Sequence, residues 1–306
     1  MNSALIIWQF VDGKPGHMNQ SIGLINALRA LTDLTVHKFP VHKYSSAVRR
    51  KLLERRAKRY GKPDLIIGTG HRTHSSILSA KWNYGGKAVV IMKPSLPMTF
   101  FDICLVPEHD NVKENNKVIP TQGALNKVTP SSEQNQKKGL FLIGGAAKAY
   151  SWDNQSILDQ IGRIVEHHPD IDWTLTDSRR SPKNFASELT ERFGDKLQFI
   201  PHTETDSNWV PRMLRQASRI WVSEDSTSMV YEALTAGGRV GLLEVPYRTK
   251  PGRVAKGIKT LQDSGALLKA DQLADLHQDT TKLFRLNESQ RCAELIYKKF
   301  FAKQVK

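Results

Sequence analysis

Arg219-Ile220-Trp221-Val222-Ser223-Glu224-Asp225-Ser226-Thr227-Ser228-Met229-Val230-Tyr231-Glu232-Ala233-Leu234 passes from an apolar run through a hydroxyl-rich turn into a helical pattern, which Gly237-Gly238 ends. An apolar run without alternation suits a parallel strand covered on both faces. The turn therefore joins a strand to a helix, where free backbone N–H groups and the positive helix end attract phosphate. Ser226, Thr227 and Ser228 are placed to hold a diphosphate, and Glu232, about one turn further, to accept ribose hydroxyls. Helix capping by Ser226 or Thr227 is the alternative use of the same residues.

Working outward, the same strand-then-helix rhythm recurs along the chain. In the first half, strands are expected at Leu5 to Phe10, Thr35 to Phe39, Asp64 to Gly68, Ala88 to Met92 and Ile103 to Val106, with a helix over Asn19 to Leu31. In the second half they are expected at Gly139 to Ile143, Trp173 to Thr176, Leu197 to Ile200, Arg219 to Val222 and Val240 to Leu243. Residues 127–138 are polar and aperiodic, the composition of an exposed link. The expected organisation is an N-terminal domain over 1–126, a linker over 127–138, a C-terminal domain over 139–286, and a last segment, 287–306, whose helix packs back on the first domain. Both domains read as Rossmann-like α/β units.

At 306 residues and 39% hydrophobic content, the chain can bury two cores. No apolar stretch approaches the roughly 20 residues that span a bilayer. Met1 to Trp8 shows neither a charged start nor a small-residue cleavage site, so a cytoplasmic location is expected. Cys104 and Cys292 lack neighbours at metal-ligand spacing and read as buried thiols. The net charge of +15 favours phosphorylated or otherwise anionic partners.

Other segments supply chemistry at strand ends of the second half, where open α/β sheets bind ligands. Gly144-Gly145 permits close backbone approach, and Lys148 adds a cation. Ser178-Arg179-Arg180 brings guanidinium groups able to grip phosphate bidentately. Each is, taken singly, a solvated loop; together they form a site. His202 in Pro201-His202-Thr203-Glu204 reads as structural.

These residues carry a resemblance. Ser223 to Gly237 resembles the donor-site helix of GT-B glycosyltransferases. Asp12-Gly13-Lys14-Pro15-Gly16-His17-Met18-Asn19-Gln20-Ser21 and Thr176-Asp177-Ser178-Arg179-Arg180-Ser181-Pro182 are similar to stretches of the mitochondrial-fission Elm-type family. The resemblance spans nearly the whole chain. It implies two Rossmann-like domains facing a central cleft and transfer of a sugar from a nucleotide-sugar donor to an envelope glycan or lipid-linked acceptor. The alternative it leaves open is a non-catalytic GT-B-like protein that binds nucleotide or protein.

For such a transferase working with inversion, a base must take the acceptor hydroxyl proton. Asp12 and His17 are the candidates, with His17 preferred by analogy with Gly-His loops of GT-B enzymes; an ordinary turn and a helix cap are their other uses. Lys14 and Gly16 share that loop. His71, a reserve base, and Arg72 end another strand as acceptor contacts. No Asp-x-Asp pair of the kind that binds metal-nucleotide sugars is recognised in these loops, so no metal and no cofactor are expected. A dinucleotide-dependent oxidoreductase is disfavoured, because neither Gly-rich loop supplies a Gly-x-Gly-x-x-Gly fingerprint. Arg49 to Arg59 holds seven basic residues and one acid and reads as a basic helix. It is either a solvated face or a dock for an anionic membrane surface. Nucleic-acid binding is not expected, for want of an aromatic-interleaved basic motif.

Overall fold

A computed structural model describes residues 4–41, 46–250, 252–269 and 286–302. The chain forms two compact units, Met1–Lys127 with Asn287–Lys306, and Val128–Leu286.

The first unit is built on β1 (Leu5–Val11), β2 (Leu34–Pro40), β3 (Leu65–Thr69), β4 (Lys87–Ile91), β5 (Ile103–Pro107) and β6 (Val118–Thr121). They pair in parallel in the order β2-β1-β3-β4-β5-β6. Successive side chains leave a strand on opposite faces, and the core splits accordingly. Ile7, Leu65, Ile67, Val89, Ile91, Ile103 and Leu105 lie under α1 (Pro15–Arg29) and α9 (Glu288–Phe300). Trp8, Phe10, Ile66, Ala88, Val90, Cys104 and Val106 lie under α2 (Ser46–Tyr60) and α3 (His74–Tyr84). Helix α1 begins at Pro15, four residues before the expected start, because proline suits the first helical position and lacks only an N–H that would have no partner there. Pro15, Gly16 and His17 are thus helical rather than loop.

The last helix belongs to this unit. Cys292, Ala293 and Ile296 share a buried cluster with Leu24, Ile25 and Leu28. The Ser289 hydroxyl donates to the Asn126 carbonyl (2.7 Å), and the Gln122 amide to Glu288 (3.0 Å). Gly23 makes that approach possible, since a Cβ there would stand 2.1 Å from the Asn126 oxygen and 2.8 Å from Ser289 Oγ. Helix propensity alone favours alanine over glycine by about 1 kcal/mol, whereas overpacking costs about 1–3 kcal/mol. Gly23→Ala is therefore expected to lower the urea midpoint rather than raise it.

The second unit is built on β7 (Asn135–Leu142), β8 (Asp172–Thr176), β9 (Gln198–Ile200), β10 (Ala217–Ser223), β11 (Arg239–Leu243) and β12 (Leu268–Lys269). All pair in parallel in the order β12-β11-β10-β7-β8-β9. One face is covered by α4 (Asn154–His167) and α5 (Phe185–Phe193), the other by α6 (Trp209–Gln216), α7 (Thr227–Ala236) and α8 (Arg253–Asp263). Strand β7 reaches back to Asn135, into the stretch the composition assigns to the linker, because Ala217 of β10 pairs with Asn135. Both cysteines are buried, and burial pushes each thiol up to about 12. Among the described residues no helix is long and apolar enough to cross a membrane.

Candidate functional site

In an open parallel sheet the crevice for a ligand opens where the strand order reverses, beyond the carboxyl ends. In the second unit the chain runs β7, β8, β9 to one side and β10, β11, β12 to the other. The reversal falls between β7 and β10, whose ends carry Gly144-Gly145 and Ser223 to Ser228. These two segments bond directly. The Gly144 amide donates to Ser223 Oγ (2.7 Å) and the Gly145 amide to Asp225 Oδ2 (3.1 Å). A Cβ on Gly144 would sit 2.2 Å from Asp225 Oδ2; one on Gly145, at φ +150°, would sit 2.2 Å from the Arg180 carbonyl. Only glycine fits either place.

The loop after β8 closes over the same glycines. Ser178 and Ser181 hydroxyls both donate to the Gly144 carbonyl (2.6 and 2.5 Å). Arg180 Nη1 meets Asp225 Oδ2 at 2.7 Å and donates to the Gly145 carbonyl at 3.3 Å. The Asp225 side chain is fully buried, so its charge needs this partner. Arg180, read from sequence as a phosphate contact, is here engaged in holding the loop. Arg179 and Lys148 are exposed, with no hydrogen-bond or ion-pair partner among the described residues. Ser226 occupies the cap position of α7, but its side chain makes no cap hydrogen bond. It is buried, Thr227 and Glu232 are half-buried, and Ser228 is exposed.

Two further groupings escape the sequence reading. The Tyr247 hydroxyl donates to Glu224 Oε1, and the Tyr150 ring packs against Tyr247, tilted by 34°, at a centroid distance of 4.8 Å. His202 donates its amide to Asp177 Oδ1 (2.7 Å), and its Nδ1 lies 2.9 Å from the same oxygen. No local pattern signals either, because the partners come from separate strand ends. Burial pushes the Glu224 carboxyl up, with the Glu244 charge adding to the rise and the Tyr247 bond opposing it. The folded protein thus holds this proton more tightly than the unfolded chain, whose reference value is 4.5. Stability from this group falls as pH rises from that value through the folded one, and stays low above it. Glu224→Gln keeps an acceptor for Tyr247 and is expected to raise the thermal midpoint at pH 8 but not at pH 4, as melting curves at the two values would read.

In the first unit the reversal falls between β1 and β3. Asp12 follows β1 directly, and its Oδ2 lies 2.8 Å from His17 Nδ1 on the first turn of α1. Its Oδ1 accepts the Lys14 amide (3.1 Å). The carboxylate is 1% exposed and the imidazole 18%. Burial alone would push the Asp12 carboxyl up, but the Lys14 amide, the His17 bond and the neighbouring positive charges together hold it below its ordinary range. The His17 ring lies against Gly70, after β3, where a Cβ would stand 2.4 Å from Cε1 at φ +83°. With Nδ1 on the carboxylate, Nε2 is the ring nitrogen left for chemistry. His71 and Arg72 form an exposed 3-10 turn next to Gly70, with no described hydrogen bond to the Asp12–His17 pair. His74, buried behind them, bonds Ser95 Oγ (3.3 Å); its pKa is lowered by burial and by His71.

The architecture is shared with solved structures at low identity, a likeness of fold. A UDP-GlcNAc 2-epimerase from Methanocaldococcus jannaschii matches with TM-score 0.63 and 14% identity over 97% of this chain and all (100%) of that one. A glycosyltransferase from Rickettsia africae matches with TM-score 0.53 and 13% identity over 99% and 100%. The fold is of the GT-B type. In sequence, an uncharacterized protein of Rickettsia prowazekii is 26% identical, with 76% of this chain and 81% of that protein covered. The sequence profile described as mitochondrial fission ELM1 matches residues 15–300, and the chain belongs to that family.

Proposed function

We propose that the chain is a nucleotide-sugar-dependent glycosyltransferase acting with inversion on an envelope glycan or lipid-linked acceptor in the cytoplasm. The observation that carries this reading is the strand-order reversal of the second sheet, where an uncapped helix end and two close-packed glycines meet; Lys148 and Arg179, exposed and without a partner among the described residues, stand on the adjoining loops after β7 and β8. A diphosphate suits that set: the first amides of α7 and the Ser226, Thr227 and Ser228 hydroxyls donate to its oxygens, and the two cations offset its charge. Glu232 accepts the ribose hydroxyls. No metal is needed in this scheme, because cations and helix end together take the charge of the leaving group.

The Asp12–His17 pair suits a general base. His17 Nε2 takes the proton of the acceptor hydroxyl as its oxygen bonds to the anomeric carbon, the bond from that carbon to the diphosphate breaks, and nucleoside diphosphate leaves. Asp12 holds the tautomer and stabilises the imidazolium that forms. Lys14, Gly16, His71 and Arg72 contact the acceptor.

The test is transfer of labelled sugar from a panel of nucleotide sugars into a bacterial envelope extract. The reading expects donor-dependent incorporation, with Glu232→Ala raising the donor KM about tenfold or more through the lost charged hydrogen bonds. Saturable nucleotide binding without incorporation from any donor would instead identify a non-catalytic binder.

A further inference from the structure

The side of the first sheet covered by α2 and α3 carries both a basic helix and exposed aromatic residues. On α2, Lys51, Arg55 and Lys58 recur at helical spacing and are exposed with Arg59, while Leu53 and Ala57 turn into the core. Arg56 is committed inward, its guanidinium 4.7 Å from the Phe39 ring centroid. The side chains of residues 46–50 and 52, Arg49 and Arg50 among them, lie outside the described residues. Phe39 packs on Trp8 at 4.9 Å and Trp8 on Tyr84 at 5.3 Å, so α2 and the end of α3 share one aromatic support.

At that end Trp82 is 69% exposed, and Phe100, on the turn between β4 and β5, is 45% exposed. Lys81 donates to the Phe100 carbonyl (3.1 Å), tying turn and helix together. Leu96 at 36% adds to the exposed apolar surface of the same β4–β5 connection. Lys117 donates to the Thr99 carbonyl (2.8 Å), which brings a further cation beside Phe100. The nearby Asp102 is already paired with Lys81 at 2.8 Å, which leaves Glu54 as the one acid on α2.

We infer that this face docks on an anionic lipid bilayer, with Trp82 and Phe100 entering the headgroup layer and Lys51, Arg55, Lys58 and Arg59 meeting the lipid charge. Amphipathic aromatic rings favour the interface, and lysine stems lie along apolar surface while their charges stay in water. Basic side chains alone would serve a nucleic acid equally. The exposed indole and phenyl rings beside them favour lipid, because a water-exposed Trp and Phe gain by entering an interfacial layer that a phosphodiester backbone does not offer. The docking concerns where the chain sits, and it is read without turnover, so its failure leaves the transferase reading standing.

The test uses the full chain with phosphatidylcholine vesicles, either pure or containing about a third phosphatidylglycerol. The chain is expected to sediment with the mixed vesicles only, and brominated phosphatidylcholine in those vesicles should quench tryptophan emission in the wild type but much less in Trp82→Phe. The triple variant Lys51→Glu, Arg55→Glu, Lys58→Glu should lose about a hundredfold or more in partitioning, and Trp82→Ser with Phe100→Ser about tenfold. All of these side chains are exposed, and matching urea midpoints would verify that the variants fold. The proposal is overturned by equal binding to both vesicle types, by wild-type partitioning of the Trp82 and Phe100 variant, by absence of quenching in bound wild type, or by a single-stranded oligonucleotide that displaces the chain from vesicles and binds the Trp82 and Phe100 variant as tightly as wild type.

Discussion

Replacing His17 with alanine is expected to lower the turnover of sugar transfer by about 10²–10⁴-fold, the usual contribution of a positioned base, while leaving donor affinity unchanged. The imidazole is held at two points, by Asp12 through Nδ1 at 2.8 Å and by the bare backbone of Gly70 against its ring. Removing it takes away the ring whose Nε2 faces the acceptor in this scheme and alters no contact of the second unit. Asp12→Asn separates the roles of the carboxylate. Its amide oxygen can still accept the Lys14 amide, so the turn persists, but the negative charge facing the imidazole is gone. A fall in kcat of about tenfold or more is expected from loss of the orienting partner, together with a lower melting temperature at pH 7, because the fold favours the charged form of this buried carboxylate. Wild-type turnover in Asp12→Asn would reduce Asp12 to a turn residue.

Gly145→Ala is expected to have the second largest effect, on the donor side. The new methyl would lie 2.2 Å from the Arg180 carbonyl carbon–oxygen group, on backbone held at φ +150°. Neither segment has room to yield, because Ala146 donates to that same carbonyl (3.1 Å) and Arg180 is clasped by Asp225. Backbone strain and overpacking of this kind cost about 1–3 kcal/mol, and opening the loop disperses the groups around the phosphate position. Donor affinity should fall about tenfold or more in titration calorimetry, with a lower thermal midpoint. Gly162→Ala in α4 is the control. Its nearest neighbour would be the flexible Arg192 side chain at 3.4 Å, and alanine favours the helix, so binding and stability should hold or improve.

What could be read from the chain follows from the range over which each interaction acts. Strands such as Leu65–Thr69 and Ile103–Pro107 are buried along their whole length and announce themselves as unbroken apolar runs. The edge strands β6 and β12 do not. Val118–Thr121 contains Pro120, which an edge strand tolerates because one side of its backbone pairs with no strand among the described residues, the Pro120 carbonyl accepting from Arg291 instead (2.6 Å), and Leu268–Lys269 is too short for a pattern. The hydroxyl turn before α7 and the Asp12–His17 pair lie within a few residues of sequence and are legible as chemistry. The clasp of Arg180 on Asp225 and the seat of His17 on Gly70 join segments that meet only because the strand order reverses between β7 and β10 or between β1 and β3, and the Glu224–Tyr247 bond joins the ends of the neighbouring strands β10 and β11. Arg180 shows the consequence most clearly. Its neighbour Arg179 has the same composition signal, yet one is spent on a buried carboxylate and the other has no partner among the described residues.

The central claim is that the second unit binds the nucleotide diphosphate of a sugar donor, and thermal melting of the full chain with a panel of nucleotides and nucleotide sugars tests it most directly. A ligand present at about 100 times its dissociation constant adds about 2.7 kcal/mol to the state that binds it, a rise of roughly 5–10 °C for a unit of this size. The account predicts such a rise for at least one nucleoside diphosphate or its sugar, cut to about half or less at the same ligand concentration in both Gly145→Ala and Glu232→Ala. A melting temperature unmoved by every member of the panel would contradict it.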